Sequence, residues 1–557
     1  MKALNLKSYK LIELLTVITT LLILVNILHL KAIDFGWQFE DPFHILMAVK
    51  YSPFQYFTQP EIMLESTYAH ITPWNVFFYE IGIYFFGLEA KWSYIHIQII
   101  ILLIAVLTYY ILINFTSKIY AVIGACIYLT LPTVALATQV LMIAHYSYGL
   151  LFSLITVIFF QKSLEKNSFN LSIVAAFFYG LACLCKELYV PLPLILICIP
   201  YKTISFRLKY FLPIAFIALI YSLFRLWLLG GIGGYGKGHY FSINNYFTIL
   251  VEIKTALFGG DNIIFYIYSS IIVLGLLLKF RSKLLLVFAV IVALILPLIP
   301  VLNEGFEGVN IRFLIPLSWV VSFGFIYFLQ TIDKIFKLKI SLLIIPILCV
   351  GLYINVNNKI YRTESYSIVN NWILAEPIDS DKVLFLDNDL TIGVGQRLAS
   401  ALKIIKSKSV MVLSRRDDIY KISDNANIYI YSINCNCISK VEGGKATLIK
   451  QWEKELDGGK ILPLKIFLEA VKINSRGLYT IKWNFGPNQE GKYLMLYKDL
   501  AIPLPINGAN TVFLPEALVN IKIRYISPKG LVVESPEFDW DLKNEVQLKW
   551  EKSLNNL

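Results

Sequence analysis

Stretches of apolar residues long enough to cross a bilayer alternate along the first two thirds of this chain with short polar interruptions, and the pattern stops near Ile354. About twenty apolar residues are needed to span the hydrocarbon core as a helix. On that basis eleven spans are predicted: Leu11–Leu30, Ser93–Asn114, Ile119–Thr138, Tyr146–Phe160, Leu171–Cys185, Leu188–Pro200, Tyr210–Leu229, Ile263–Leu278, Leu284–Leu302, Phe313–Leu329 and Ile340–Ile354. A twelfth segment, Pro73–Leu88, is apolar enough to compete. From about Asn355 to Leu557 the chain becomes polar and mixed, so a second, soluble domain is expected there.

That second region opens as a βαβ-like piece over residues 380–426, with strands at Val383–Leu386 and Val410–Leu413 and a helix over Gln396–Ile405. Gly393-Val394-Gly395 before that helix has the look of a phosphate-binding turn but lacks the third glycine of the dinucleotide fingerprint, and it is taken as ordinary turn chemistry. From Asn427 onward short alternating runs (Ile428–Ile433, Tyr479–Asn484, Tyr493–Tyr497, Val519–Ile526), broken by Gly, Pro and Asn, predict a β-rich unit over 427–557, with a sandwich as the expected form.

Composition agrees with the pattern. Of 557 residues, 57% are hydrophobic and 16% charged, against roughly 45–50% and about 25% in soluble domains. The net charge of +12 does not argue for nucleic acid, because the Lys and Arg of the membrane part sit mostly in short loops between spans, where they set orientation. The twenty apolar residues behind Lys2, Lys7 and Lys10 are too many for a signal peptide, and no small-residue cleavage site follows, so a retained helix is expected. Cys126, Cys183, Cys185, Cys198 and Cys349 lie in or beside apolar spans; Cys435 and Cys437 could bond to each other or to a metal, but a single Cys-x-Cys is weak evidence and they are expected as unpaired thiols.

Charge also decides the twelfth segment. If Pro73–Leu88 stays on the outer side, the cytoplasmic loops hold Lys2, Lys7, Lys10, Lys118, Lys162, Lys166, Lys202, Arg207, Lys209, Lys279, Arg281, Lys283, Lys334, Lys337 and Lys339, fifteen in all. The external segments hold seven: Lys31, Lys50, Lys91, Lys186, Lys237, Lys254 and Arg312. That asymmetry follows the positive-inside rule, so Pro73–Leu88 is expected to be interfacial or re-entrant, with its aromatic residues at the headgroup level. The N-terminus is then cytoplasmic and the C-terminal domain extracytoplasmic. Four polar features share the outer face: Glu40-Asp41-x-x-His44, Cys185-Lys186-Glu187, the Gly-rich run 230–236, and Asn303-Glu304-Gly305-Phe306-Glu307 leading to Arg312.

Two of these carry the chemistry. Adjacent carboxylates near low dielectric have raised pKa values and suit proton abstraction or cation binding, although a Glu-Asp pair at a helix start is also an ordinary solvated cap. Lys186-Glu187 stands between two spans without polar padding, a costly position unless the pair is used; a Lys snorkelling to the interface is the plainer alternative. Arg225, about a turn inside the end of its span, and Arg312 can grip a phosphate, whereas Glu304 and Glu307 are better read as solvated loop acids.

Together these features resemble the membrane glycosyltransferases of the GT-C fold, in particular the family-39-like and aminoarabinose-type transferases and the protein O-mannosyltransferases. Glu40-Asp41 resembles their early Asp-Glu motif with the acids exchanged, and His44 falls where an aromatic or His is usual. His70-Ile71-Thr72-Pro73 resembles their His-Pro-Pro segment with one Pro missing, and Leu184-Cys185-Lys186-Glu187 with Pro191 and Pro193 resembles their Lys-Glu element. The resemblance covers roughly residues 1–354. It implies a polytopic α-helical membrane protein of about 11 spans, GT-C-like, carrying a C-terminal extracytoplasmic α/β plus β-rich domain. It further implies an inverting transfer from a polyprenyl-phosphate sugar to a glycan, lipid or protein acceptor in cell-envelope glycosylation. Glu40, by motif order, or Asp41 would act as base, with His44, Lys186, Glu187, Arg225 and Arg312 binding substrate. A divalent cation at the acidic pair is compatible with this chemistry but not required by it, since Lys186 could do the same charge work. A transporter or flippase of lipid-linked saccharides would call for internal repeats and paired broken helices, and a ligase or polymerase for a long late loop; the sequence has neither.

Overall fold

A computed structural model of the chain describes residues 2–67, 69–199, 201–230, 245–258, 262–279, 284–298, 308–337, 341–358, 360–376, 381–386, 389–407, 409–413, 419, 422–456, 464–472, 478–485, 492–497, 500–504, 509–514, 517–526 and 532–550. By contact the molecule divides into two units, one comprising residues 1–224 and 234–363, the other 225–233 and 364–557. The division after Thr363 lies nine residues beyond the limit of 354 drawn from composition, because the last helix of the first unit runs on to Asn358.

The first unit is helical: α1 (Lys2–His29), α2 (Asp41–Lys50), α3 (Pro53–Thr58), α4 (Pro60–Ser66), α5 (Pro73–Phe86), α6 (Ala90–Leu112), α7 (Lys118–Leu129), α8 (Pro132–Gln139), α9 (Ala144–Lys166), α10 (Phe169–Cys185), α11 (Leu192–Ile197), α12 (Ile204–Leu229), α13 (Asn245–Phe258), α14 (Asn262–Lys279), α15 (Leu284–Ile295), α16 (Ile315–Phe336) and α17 (Ser341–Asn358). Each predicted span coincides with at least one of these helices. Among the described residues five stretches, Ile12–Asp34, Ala90–Leu112, Leu141–Lys166, Ile204–Leu229 and Gly308–Phe336, are long and apolar enough to cross a membrane, and α7 with α8 makes a sixth if a bent pair counts as one span. The bend of 55° has a local cause. Pro132 disfavours helical backbone at the residue before it, and Leu131 is accordingly extended, with ψ 143. Pro191 and Pro193 likewise reduce the predicted span Leu188–Pro200 to a 3-10 turn, Glu187–Tyr189, and the six-residue α11.

The segment between the first two long helices is built of short pieces that begin at prolines. Pro53, Pro60 and Pro73 stand in the first turns of α3, α4 and α5, where a missing N–H costs nothing. α5 has 14 residues, about 21 Å at 1.5 Å per residue, well short of the roughly 30 Å hydrocarbon core. Its last turn exposes Tyr84, Phe85 and Phe86, and Phe86 stacks on Trp92 at 4.9 Å. The indole Nε1–H of Trp37 donates to the Leu88 carbonyl at 2.8 Å, tying the end of α5 back to the start of the loop.

The second unit contains α18 (Glu364–Ala375), β1 (Lys382–Phe385), α19 (Asp389–Lys406), β2 (Met411–Leu413), β3 (Asn427–Ser432), β4 (Cys437–Lys440), α20 (Gly444–Leu456), and β5 to β13 (Leu464–Lys472, Leu478–Phe485, Lys492–Tyr497, Leu500–Leu504, Ala509–Phe513, Leu518–Ile526, Val532–Glu534, Phe538–Trp540 and Val546–Trp550). The βαβ piece is present, with β1 parallel to β2. Three expectations are corrected. β3 pairs parallel with β1, Val383 opposite Ile428, so Ile428–Ile433 completes the α/β sheet (order β2-β1-β3-β4) and does not open the β-rich part. α19 starts at Asp389 and takes Gly393 and Gly395 into its interior, which removes the turn proposed for them. Gly395 serves packing instead: a Cβ there would lie 2.8 Å from Leu386 Cδ1 and 3.3 Å from Val369 Cγ1. Cys435 and Cys437 are joined as a disulfide across the β3–β4 hairpin.

The remaining strands form two antiparallel sheets, β11-β10-β7-β8 with β12 beside β10, and β13-β5-β6-β9. Alternate residues of both, among them Ile466, Leu468, Ile481, Met495, Ile521 and Ile523, meet in one core. This is the sandwich that the alternating pattern predicts, beginning at Leu464.

The close approach at Gly395 yields a test. Gly395→Val should overfill the gap between α18, α19 and β1, costing about 1–3 kcal/mol, and hydrogen exchange of the β1 amides in the intact chain should accelerate while that of α6 is unchanged.

Candidate functional site

The first loop turns sharply before α2. Gly36 and Phe39 both have positive φ, 69 and 49; for glycine this is free, for phenylalanine it is a strained conformation of the kind that clusters at functional sites. The turn places Glu40 and Asp41 in opposite circumstances. Asp41 is fully buried. Its Oδ2 accepts the Gln38 N–H at 2.7 Å, its Oδ1 accepts the Tyr79 hydroxyl at 2.5 Å, and the Met142 N–H donates to the same carboxylate. Burial pushes its pKa up to about 7, with the adjacent Glu40 charge adding to the shift and the three donors opposing it. Glu40 is exposed, and its carboxylate has no hydrogen bond or ion pair among the described residues; its carbonyl accepts the Phe43 N–H at 2.9 Å at the start of α2.

Helical spacing carries the site onward. Asp41 and His44 stand three apart on α2, Asn75 and Tyr79 four apart on α5, so each pair shares a face. The two faces meet: Asn75 Nδ2 donates to His44 Nε2 at 3.0 Å, and the His44 ring stacks on Tyr79 with centroids 5.5 Å apart.

The Lys186-Glu187 turn arrives from the other side of α9. α10 ends at Cys185, and Lys186 is extended, with φ -163 and ψ 143. Gly149 on α9 permits the approach, since a Cβ there would fall 2.1 Å from the Tyr189 ring; the Tyr189 hydroxyl then donates to the Tyr146 carbonyl. Lys186 is only 3% exposed. Its Nζ sits 5.4 Å over the Tyr146 ring and 3.6 Å from Glu187 Oε1. The same carboxylate pairs with His70 Nδ1, which joins the first loop directly to the Lys-Glu turn.

His145, at the start of α9, is the common neighbour. Lys186, His44, Arg312 and Glu187 all stand close enough to act electrostatically on its imidazole. Arg312 belongs to a 3-10 turn, Gly308–Leu314, and its guanidinium lies 5.0 Å over Phe313, whose ring is 6.0 Å from Tyr146. The structure thus gathers the Glu40-Asp41 turn, His44, Lys186, Glu187 and Arg312. Arg225, near the end of α12, falls in the stretch 225–233 that groups with the second unit. Glu304, Glu307 and residues 231–236 lie outside the described residues.

Sequence reasoning missed Gln38, Asn75, His145 and Tyr146, and it set Tyr79 and Phe78 among the headgroup-level aromatics, whereas both are buried. Asn75 and Tyr79 had a signal, two polar groups at helical spacing on a mostly apolar segment; His145 is one of only six histidines in the chain. Among the described residues no three His, Cys, Asp or Glu side chains are placed to share a metal ion, and the Asp41 oxygens are already engaged by three donors.

No family model matches the sequence, and no curated protein matches it. Among solved structures the chain is similar to the oligosaccharyltransferase of Archaeoglobus fulgidus, crystallised with zinc and sulfate, at a TM-score of 0.42 and 13% identity. The match covers 72% of this chain and 62% of the archaeal one.

The Asp41 environment predicts a pH dependence. A carboxyl whose pKa is raised on folding from 3.8 to about 7 holds its proton better in the folded state, so its contribution to stability is complete below about pH 4 and is lost as pH rises through 7. The slope is at most about 1.4 kcal/mol per pH unit. Thermal unfolding of the purified protein should therefore show a Tm that falls between about pH 4 and pH 7 and levels off above it, and Asp41→Asn should flatten that fall whatever it does to the Tm itself.

Proposed function

We propose that the protein is a membrane glycosyltransferase of GT-C type that moves a sugar from a polyprenyl phosphate to an acceptor hydroxyl or amine on the outer face of the membrane. The observation that carries this reading is the meeting of the two sequence motifs around His145: His44, three residues after Asp41 on α2, on one side, and the buried Lys186 with Glu187 and Arg312 on the other, His70 of the first loop pairing with Glu187.

The roles follow from the surroundings. Glu40, exposed and without a partner among the described residues, is the general base that takes the acceptor proton. Asp41 anchors the turn that presents it. Attack at the anomeric carbon opposite the leaving phosphate gives inversion in one displacement, and the phosphate leaves toward cations. Lys186, paired with Glu187, and Arg312 place two permanent cations in the site, and Glu187 is also shared with His70. A lipid phosphate would be stabilised by these cations as it departs. Arg225 keeps its proposed phosphate contact on its place near the end of α12 alone. The second unit is given the task of meeting the acceptor. An outward orientation is supported by the distribution of basic residues and by the Cys435–Cys437 disulfide, a bond that persists in oxidising compartments.

The test is transfer of label from radioactive polyprenyl-phosphate sugars in membranes. Glu40→Gln should lose about 10²–10⁴-fold in rate, and Lys186→Ala about 10²–10³-fold. Wild-type transfer by both variants at normal abundance would overturn the proposal.

A further inference from the structure

The segment by which the chain leaves the first unit, Tyr361-Arg362-Thr363, is bonded to the same loop that carries the candidate base, and Gln38 is where the two meet. The Gln38 side chain is fully buried. Its Nε2 donates to the Gln139 carbonyl at 2.6 Å and to the Tyr94 hydroxyl at 3.2 Å, and its Oε1 accepts the Thr363 N–H at 3.1 Å. The Tyr94 hydroxyl donates in turn to the Gly36 carbonyl at 2.9 Å. Gln139 repeats the pattern, its Oε1 accepting the Tyr361 N–H at 2.9 Å. Between those two amides the Arg362 guanidinium lies 5.8 Å over the Phe35 ring.

Tyr361 and Thr363 thus present two backbone donors to two glutamines. These glutamines are not arbitrary partners. Gln38 gives its own N–H to Asp41, and Gln139 lies three residues before Met142, whose N–H is another of that carboxylate's donors. Only Phe39, held at positive φ, separates Gln38 from Glu40. A displacement of the exit segment therefore reaches two of the three supports of Asp41, with one strained residue between the moving amide and Glu40. An error of about 1 Å in a catalytic group can cost about 10²-fold in rate.

We infer that Gln38 is a positioning residue for the reaction, and that through it the exit segment Tyr361–Thr363 sets the attitude of the Glu40–Asp41 turn. This rests on the proposed function, because it presumes that Glu40 reacts.

The experiment uses the full chain purified in detergent, with a radiolabelled polyprenyl-phosphate sugar as donor. Gln38→Met keeps the length of the side chain and removes its hydrogen bonds; it should lower kcat at least about tenfold, leave KM for the donor within about twofold, and shift the pH–kcat profile. Thr363→Pro removes the N–H that Gln38 accepts, together with the threonine side chain and some freedom of Arg362 before it, and should reproduce the kcat loss while leaving Gln38 itself in place; it carries the test if Gln38→Met does not accumulate. Gln98→Met, which removes a buried amide bonded to the His29 carbonyl at 2.8 Å, is the control for structural loss alone: its Tm should fall while kcat and the pH profile stay put. If Gln38→Met and Thr363→Pro retain wild-type kcat and pH profile while Glu40→Gln is inactive, this inference is wrong and the proposed function stands. If Glu40→Gln is itself fully active, the proposed function fails first.

Discussion

The buried Asp41 carboxylate is the constraint around which the first unit's polar interior is arranged. A carboxyl group with no access to water is tolerated only if its oxygens are occupied, and here the occupants come from three separate stretches of chain: the loop before α2, the middle of α5, and the start of α9. Each is otherwise an apolar or irregular segment with little reason to hold one register against the others. The carboxylate supplies that reason, and in doing so fixes where the neighbouring Glu40 emerges and where His44 stacks.

The remainder of the site is assembled by a similar economy of contacts. Glu187 forms ion pairs with both His70 and Lys186, so one acid serves the first loop and the turn after α10 together. Gly149 allows that turn to press against α9. Tyr146, one residue from His145, lies beneath Lys186 and beside Phe313, which brings the Arg312 turn to the same wall. The result is that His145 stands within electrostatic reach of Lys186, Arg312, Glu187 and His44, groups drawn from three other stretches of chain.

Much of this was legible in the sequence. Apolar length located the helices, period-two alternation located the sandwich, and the cost of an ionisable pair between two spans pointed at Lys186-Glu187, which the fold brings beside His145. What remained hidden has physical reasons. Prolines divide the first loop and two of the spans into short pieces, and a period of 3.6 cannot be recognised in six or eight residues. Strand partners are chosen over distance, so β3 looked like the start of the β-rich part until its pairing with β1 was known. A two-glycine run looks the same in a turn as in a helix packed close to a neighbour, and the hairpin between β3 and β4 that brings Cys435 and Cys437 together has no signature in a Cys-x-Cys. Gln38, Tyr79 and His145 are single polar residues whose partners lie far along the chain, and one sequence alone holds no record of such pairings.

The brevity of α5 has a consequence for what the helix can do alone. At 14 residues it falls about 9 Å short of the hydrocarbon thickness, about six residues too few for a straight crossing. It serves instead as a short strut: one end is pinned by the Trp37 indole through Leu88, and its middle reaches Asp41 and His44 through Tyr79 and Asn75.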